Sequence, residues 1–157
     1  MLEEATQADA ETLYSIESEA FPADEAADLE GIRFRISGAS AYFLKYIVGA
    51  ELVGYVNGTL CLEKEVTHES MSEHKPEGKT LILHSVTIVE KHRMKGHGRA
   101  MLTLYLDEIR KRKEVDKILL LAKKHLFPFY ESCGFTTLRL SPVEHGSEQW
   151  FELGLDL

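Results

Sequence analysis

Residues 81–98 constrain this chain more than any other stretch. The run Leu81 to Val89 is apolar enough for a central strand buried on both faces. Arg93-Met94-Lys95-Gly96-His97-Gly98 follows it, and then Met101, Leu102, Tyr105, Leu106 and Ile109 mark one face of a helix over 98–113. Two glycines between a strand and a helix let the backbone approach a ligand closely and turn several N–H groups inward. Those donors join the unpaired N–H groups of the first helical turn, making a receptor for phosphate oxygens. Arg93, Lys95 and Arg99 concentrate positive charge there, in a chain whose net charge is −8. The pattern therefore points to a pyrophosphate site, although two glycines also suit a plain structural turn. It is not a Walker loop, because no Gly-Lys-Ser/Thr occurs, and it lacks the third glycine of a dinucleotide fingerprint.

The flanking pattern predicts one domain over 1–157, mixing helices and strands. Thr6-Gln7-Ala8-Asp9 has capping-box spacing before a helix over 9–20, in which Leu13, Ile16 and Ala20 recur at helical intervals. Pro22 disfavours helix at Phe21. A second helix is expected over 26–37, with Leu29, Ile32, Phe34 and Ile36 as apolar contacts and Gly38 as its stop. Strands over 42–48 and 52–62 read as a hairpin turning at Gly49-Ala50-Glu51, with Gly54 and Gly58 as bulges. Residues 63–79, with Pro76 and Gly78, form a long exposed loop of a kind that is often functional. A buried strand over 117–122 precedes a helix over 125–133, which has Pro128 in its first turn and Gly134 beyond its end. Strands over 135–140 and 150–155 close the chain, Trp150 serving as a packing residue. With a short strand over 2–5 the order is (β)ααβββαβαββ, an α+β arrangement in which parallel and antiparallel relationships mix.

Composition excludes several classes. No apolar run is long enough for a membrane helix, and the N-terminus lacks the basic start and apolar stretch of a secretory signal. Cys61 and Cys133 cannot make a disulfide framework, and no zinc-like ligand spacing occurs, so no metal is expected. A cytoplasmic location follows as the default. The acidic balance, 26 Asp+Glu against 18 Lys+Arg, argues against nucleic acid as a partner. It suits either a cationic small molecule or simple solubility. His68, His74, His92, His97, His125 and His145 show no ligand spacing, and most are expected in solvent.

Arg93-x-x-Gly96-x-Gly98 after Val86-Thr87-Ile88 resembles the acetyl-CoA signature of the GNAT superfamily of N-acetyltransferases. Phe127-Pro128-Phe129-Tyr130-Glu131-Ser132-Cys133-Gly134-Phe135 is similar to a second motif of that superfamily. The stretch Glu69-Ser70-Met71…His74-Lys75-Pro76-Glu77-Gly78, then Leu83-His84-Ser85-Val86, resembles the arylalkylamine (serotonin) N-acetyltransferases, particularly their non-vertebrate branch. With Ile16-Glu17…Ala20-Phe21-Pro22, the likeness covers nearly the whole chain. It implies a mostly antiparallel central sheet with flanking helices, acetyl-CoA as cosubstrate and a small amine such as serotonin, tryptamine, tyramine or phenethylamine as acceptor. Val86, Thr87 and Ile88 would hold the pantetheine arm along a splayed strand pair, and Met94, Lys95, Gly96, His97, Gly98 and Arg99 would cradle the pyrophosphate. Tyr130 would sit near the thioester sulfur. His84 matches one of two strand histidines in the vertebrate enzymes, but the other position is Ile82, which departs from the vertebrate proton relay. The vertebrate flanking segments that recruit adaptor proteins after phosphorylation have no counterpart here, so no such partner is expected.

The chemistry has open roles. An alkylammonium, with a pKa of about 10, must lose a proton before it can attack a thioester. His84, acting through water, and Glu25 compete as the base, and Glu25 could instead bind the ammonium group. Tyr130 suits the acid that protonates the leaving thiolate, or else is a core aromatic with its hydroxyl capped. A backbone N–H near Val86 is the oxyanion donor. Phe21 and Pro22 would border the amine, whereas Phe21, Phe127 and Phe129 could equally be core. Cys133 reads as a small buried residue. Two other functions fit the same residues: a diamine or polyamine acetyltransferase, with Asp24, Glu25 and Asp28 as an acidic pocket, and a non-catalytic acyl-CoA-binding module.

Overall fold

The computed structural model describes residues 1–144 and 146–157, so His145, among the histidines considered above, lies outside the described residues. The elements follow the expected order: β1 (Leu2–Glu4), α1 (Ala10–Ala20), α2 (Leu29–Ala39), β2 (Phe43–Val48), β3 (Glu51–Cys61), β4 (Thr80–Ile88), α3 (His97–Arg112), β5 (Lys117–Ala122), α4 (Phe127–Ser132), β6 (Thr136–Leu140) and β7 (Phe151–Asp156). The strands form one seven-stranded sheet ordered β1-β2-β3-β4-β5-β7-β6. Every neighbouring pair is antiparallel except β4 with β5, which α3 joins as a parallel crossover. The fold is thus α+β. No helix among the described residues is long and apolar enough to cross a membrane.

Period-2 side-chain alternation explains how one sheet feeds a core on each face. On one face, Val56, Leu81, Leu83, Ile118 and Leu120 pack with the apolar stripe of α3, Met101, Leu102, Tyr105, Leu106 and Ile109. On the other, Phe43 and Tyr55 pack with Leu13 of α1 and Ile32 and Ile36 of α2. Ile82 and Leu119, one step out of phase with their neighbours, pack with Cys61 and Val66 beneath the long loop. Because β4 and β5 are covered on both faces, their sequences read as continuous apolar runs.

The second helix differs from its expected bounds at both ends. Asp28 caps it, accepting the Gly31 N–H at 2.7 Å, so residues 25 and 26 belong to a turn whose amides donate to the Pro22 carbonyl. Gly38 does not stop the helix, which runs on to Ala39; a single glycine costs a helix only about 1 kcal/mol. Phe34 is 45% exposed, because two residues from Ile32 and from Ile36 places it across the helix from the buried face.

The loop over 63–79 is fastened at several points. The Leu60 N–H donates to Nδ1 of His74 at 3.0 Å, and the Lys75 N–H donates to the Leu60 carbonyl at 2.8 Å. A Cβ at Gly78 would overlap the Cys61 carbonyl, so only glycine permits that approach. The Val66 N–H donates to Oε1 of Glu152 at 3.0 Å, and Arg139 pairs with the same buried carboxylate. Burial lowers the His74 pKa below its usual 6.5, Glu77 opposing weakly. Above that value the ring is neutral in folded and unfolded chains alike. Below it, the unfolded chain takes up a proton that the folded ring resists, so stability declines as pH falls. His74→Gln, which keeps an acceptor, is expected to flatten the decline in urea-unfolding free energy between about pH 6.5 and 5. Identical slopes would assign that decline to other groups.

Candidate functional site

Pairing between β4 and β5 begins at Thr80 with Lys117 and ends at Leu83 with Leu120. Beyond that point β4 continues to Ile88, hydrogen-bonded only to β3, while β5 continues to Ala122, hydrogen-bonded only to β7. The two strands therefore splay, and the edge of β4 that carries Val86, Thr87 and Ile88 has no strand partner on the β5 side. An extended chain can lie along such an edge. A bulge sharpens the geometry: Asn57 faces Ser85 but Gly58 faces Leu83, which leaves His84 as the extra residue. Bulges re-aim side chains near active sites. Here His84 turns toward the mouth of the splay, with Nε2 2.7 Å from the Thr59 hydroxyl.

At the open end of β4, Met94 and Gly96 take left-handed backbone conformations (φ +63° and +82°), and α3 begins at His97. Glycine reaches that region without penalty, and no atom lies within 4 Å of where its Cβ would be. The amides of Met94 through Arg99 donate to no backbone or side-chain acceptor among the described residues; Ala100 makes the first helical bond, to Gly96. Six amides without partners at the start of a 16-residue helix form an anion receptor, aided by the helix dipole. Gly98 plays a different part from the one its neighbour plays. Its Cβ would stand 3.4 Å from the Phe129 ring and 3.8 Å from Ile88, so its smallness lets α3 start against α4 and β4.

A cleft of about 440 Å³ opens at the splay. Phe21, Pro22, Glu25, His84, Val86 and Tyr130, scattered through the chain, all line it. Phe129 links the two regions, touching the Gly98 position on one side and lying 5.0 Å from the Tyr130 ring on the other. Tyr130 is buried apart from this opening, and its hydroxyl has no hydrogen-bond partner among the described residues. Burial, with a smaller effect of Cys133, pushes its pKa well above the usual value, so the phenol keeps its proton.

Several cleft residues escaped the sequence reading. Glu17 of α1 is 3% exposed, and its carboxylate accepts from the Tyr55 hydroxyl at 2.7 Å, the Ser85 hydroxyl at 2.9 Å and the Ala27 N–H at 3.1 Å. It ties α1 and the α1–α2 loop to the sheet below the cleft. Lys123 is held by Glu25 at 2.8 Å and Glu148 at 3.1 Å, which raises its pKa, and lies 5.3 Å above the Trp150 ring. Trp150 precedes β7 and borders the cleft rather than packing within a strand. Arg35, Ser72, His68 and His125 add to the polar lining; both histidines are exposed, as expected, at the cleft's rim. Glu17 gave a usable signal, an acid on the apolar face defined by Leu13, Ile16 and Ala20. Lys123 and Arg35 gave none, because a lysine after a strand and an arginine within an amphipathic helix usually face water. Of the wider candidates, Phe127 and Phe129 pack against the main core, and Cys133 is half-buried. Among the described residues no group of three or more His, Cys, Asp or Glu is arranged to hold a metal ion.

The family model described as Acetyltransferase (GNAT) family matches residues 10–135. Serotonin N-acetyltransferase of Mesocricetus auratus is 30% identical over 97% of this chain and 75% of its own length. Among solved structures, the loading GNATL domain of CurA from Lyngbya majuscula superposes with a TM-score of 0.87 at 15% identity, covering 99% of this chain and 96% of that domain. Arabidopsis thaliana Naa50 in complex with the bisubstrate analogue CoA-Ac-MVNAL gives 0.75 at 13% identity, over 100% and 98% of the two chains.

Two substitutions test this geometry. Glu17→Ala leaves three donors without their acceptor and should lower the unfolding free energy by about 3 kcal/mol in denaturant titration. A change below about 0.5 kcal/mol would mean the buried carboxylate holds nothing together. Gly98→Leu should displace Phe129 and weaken coenzyme A binding measured by calorimetry at least about tenfold, whereas Gly98→Ala, whose Cβ makes ordinary contacts, should not.

Proposed function

This chain belongs to the acetyltransferase (GNAT) family, and on that premise we propose that it moves acetyl from acetyl-CoA to the primary amine of a small arylalkylamine. The amine attacks directly while both substrates are bound. One observation carries the reading: the partnerless amides of 94–99 continue past Ile88 and Phe129 into a cleft bordered by Val86 and Tyr130. That path fits a ligand with a diphosphate at one end, an extended arm, and a reactive group at the other. The cosubstrate supplies an acetyl thioester, activated by a good leaving group.

The chain's own residues would do the rest. Met94 to Arg99 hold the diphosphate, and the free edge of β4 at Val86, Thr87 and Ile88 aligns the arm by backbone bonds. A backbone N–H near Val86 meets the charge that develops on the carbonyl oxygen. Tyr130, kept protonated by burial, gives its proton to the departing sulfur. His84 with the Thr59 hydroxyl makes a two-member relay for the proton leaving the amine. Glu25 suits the base role less well, because Oε2 already holds the Lys123 ammonium and a proton arriving there would displace an ion pair. A role in shaping the cleft wall fits it better.

Charge balance favours one cationic group on the acceptor over the several of a polyamine. Glu25 has Lys123 as counter-ion, and Glu17 has the favourable field of Arg35, so the lining carries no surplus carboxylate. Phe21, Trp150, Leu83, Leu121 and Met71 offer an apolar surface for a ring. The solved relatives' likeness supports the fold, and the serotonin N-acetyltransferase similarity supports the substrate class.

Incubation with acetyl-CoA and a panel of phenethylamine, tyramine, tryptamine, serotonin, putrescine and spermidine should release free thiol, fastest with the aromatic amines. Preference for putrescine or spermidine would select the polyamine reading, and tight coenzyme A binding with no release would select the non-catalytic one. Tyr130→Phe should lower kcat by about 10²-fold, as for loss of a general acid, while coenzyme A affinity stays within about twofold. An unchanged kcat at saturating substrate removes Tyr130 from the acid role.

A further inference from the structure

Arg35 balances Glu17 in charge but leaves most of its hydrogen-bond donors unused in the cleft. It projects from α2, on the apolar face side of a helix whose other arginine, Arg33, reaches outward to Gln7 and Glu11. Its guanidinium has five N–H donors. The structure records one hydrogen bond, from Nη1 to Oδ1 of Asn57 at 3.3 Å, and no carboxylate within ion-pair distance among the described residues. Glu17, the nearest acidic influence, has spent its oxygens on Tyr55, Ser85 and Ala27. Asn57 beneath Arg35 is fully buried, and its Nδ2 has no hydrogen-bond partner. An unmet buried donor such as Asn57 Nδ2 is costly, and the half-buried Arg35 fork beside it opens to the cleft, where a ligand or water can answer it.

The position of this cluster decides what it could answer. Arg35 lines the same cleft as Phe21, His84 and Tyr130, and Asn57 sits opposite Ser85 in the register, next to the His84 bulge. A ligand there is the acceptor, not the cosubstrate, whose diphosphate receptor lies at the far end of β4. We propose that Arg35 is a specificity determinant for the acceptor, receiving a hydrogen-bond-accepting oxygen, a carboxylate or a ring hydroxyl, carried by the amine. A guanidinium fork matches a carboxylate in two parallel bonds and a hydroxyl in one. A purely hydrocarbon arylalkylamine leaves the fork unanswered and binds more weakly for that reason. This inference rests on the acetyl-transfer reading for the identity of the acceptor site.

Binding separates the two. Phenethylamine, tyramine, phenylalanine and 4-(2-aminoethyl)benzoate share one frame and differ in their oxygen groups. Their affinities for the full chain with free coenzyme A present, which cannot donate acetyl, are measured by calorimetry. At least one oxygen-bearing amine should bind about tenfold or more tighter than phenethylamine, and the arm that wins distinguishes ring hydroxyl, ring carboxylate and α-carboxylate. In Arg35→Met that ratio should fall to about one. Asn57→Asp keeps the guanidinium but gives it an internal carboxylate, so it should collapse the same ratio if the Met variant does not fold. No oxygen preference in the unmodified protein, or a preference that survives both substitutions, overturns the proposal. Arg35-dependent binding without thiol release from acetyl-CoA would instead overturn the acetyl-transfer reading and leave Arg35 as a ligand site. Thiol release with no Arg35 dependence does the reverse.

Discussion

Parallel pairing between β4 and β5 stops after four residues, and the functional geometry follows from that stop. A fully zipped pair would bury the backbone groups of Val86, Thr87 and Ile88 in a ladder. The splay leaves them along an open edge, and the same divergence makes room for the 440 Å³ cleft. Each strand is held by its other partner. β4 stays with β3 through Gly54, where a Cβ would press on the Thr87 carbonyl, while β5 stays with β7 to its end.

Two carboxylates on neighbouring elements show how environment separates roles. Glu17 is enclosed and satisfied by neutral donors from three segments, which makes it a tie between α1, the following loop and the sheet. Glu25 is equally shielded but bound to a cation, and Lys123 in turn meets Glu148 and the face of Trp150. That second group bridges the α1–α2 loop, the end of β5 and the residues before β7, so one wall of the cleft is a charge network rather than a packed core. Networks of this kind hold loops in a defined arrangement, although their net stabilisation is modest when solvent reaches them.

Long, strongly periodic elements were legible in the residues. The α3 stripe, the continuous apolar runs of β4 and β5 and the glycine turn between strand and helix all carry local signals that survive folding. The bounds of α2 were less so, because Asp28 wins the capping position through its own side chain and Gly38 is tolerated in the last turn. The candidate site was legible where a motif marked it: Phe21, Pro22, Glu25, His84, Val86 and Tyr130 converge on one cleft. Arg35, Lys123 and Trp150 join them from positions with nothing distinctive nearby in the chain. Their neighbours in space come from elements 22 to 98 residues away.

By itself the sequence determined the order of elements, which faces are apolar, and where amide hydrogens can gather before a helix, since each depends on residues a few positions apart. Tertiary structure alone decided that His84 is the bulged residue beside Thr59, that Glu25 carries a lysine, and that Arg35 faces the cleft with donors to spare. Those outcomes depend on sheet register and on which distant charges meet, and backbone register is set by the packing of the whole sheet rather than by any local run.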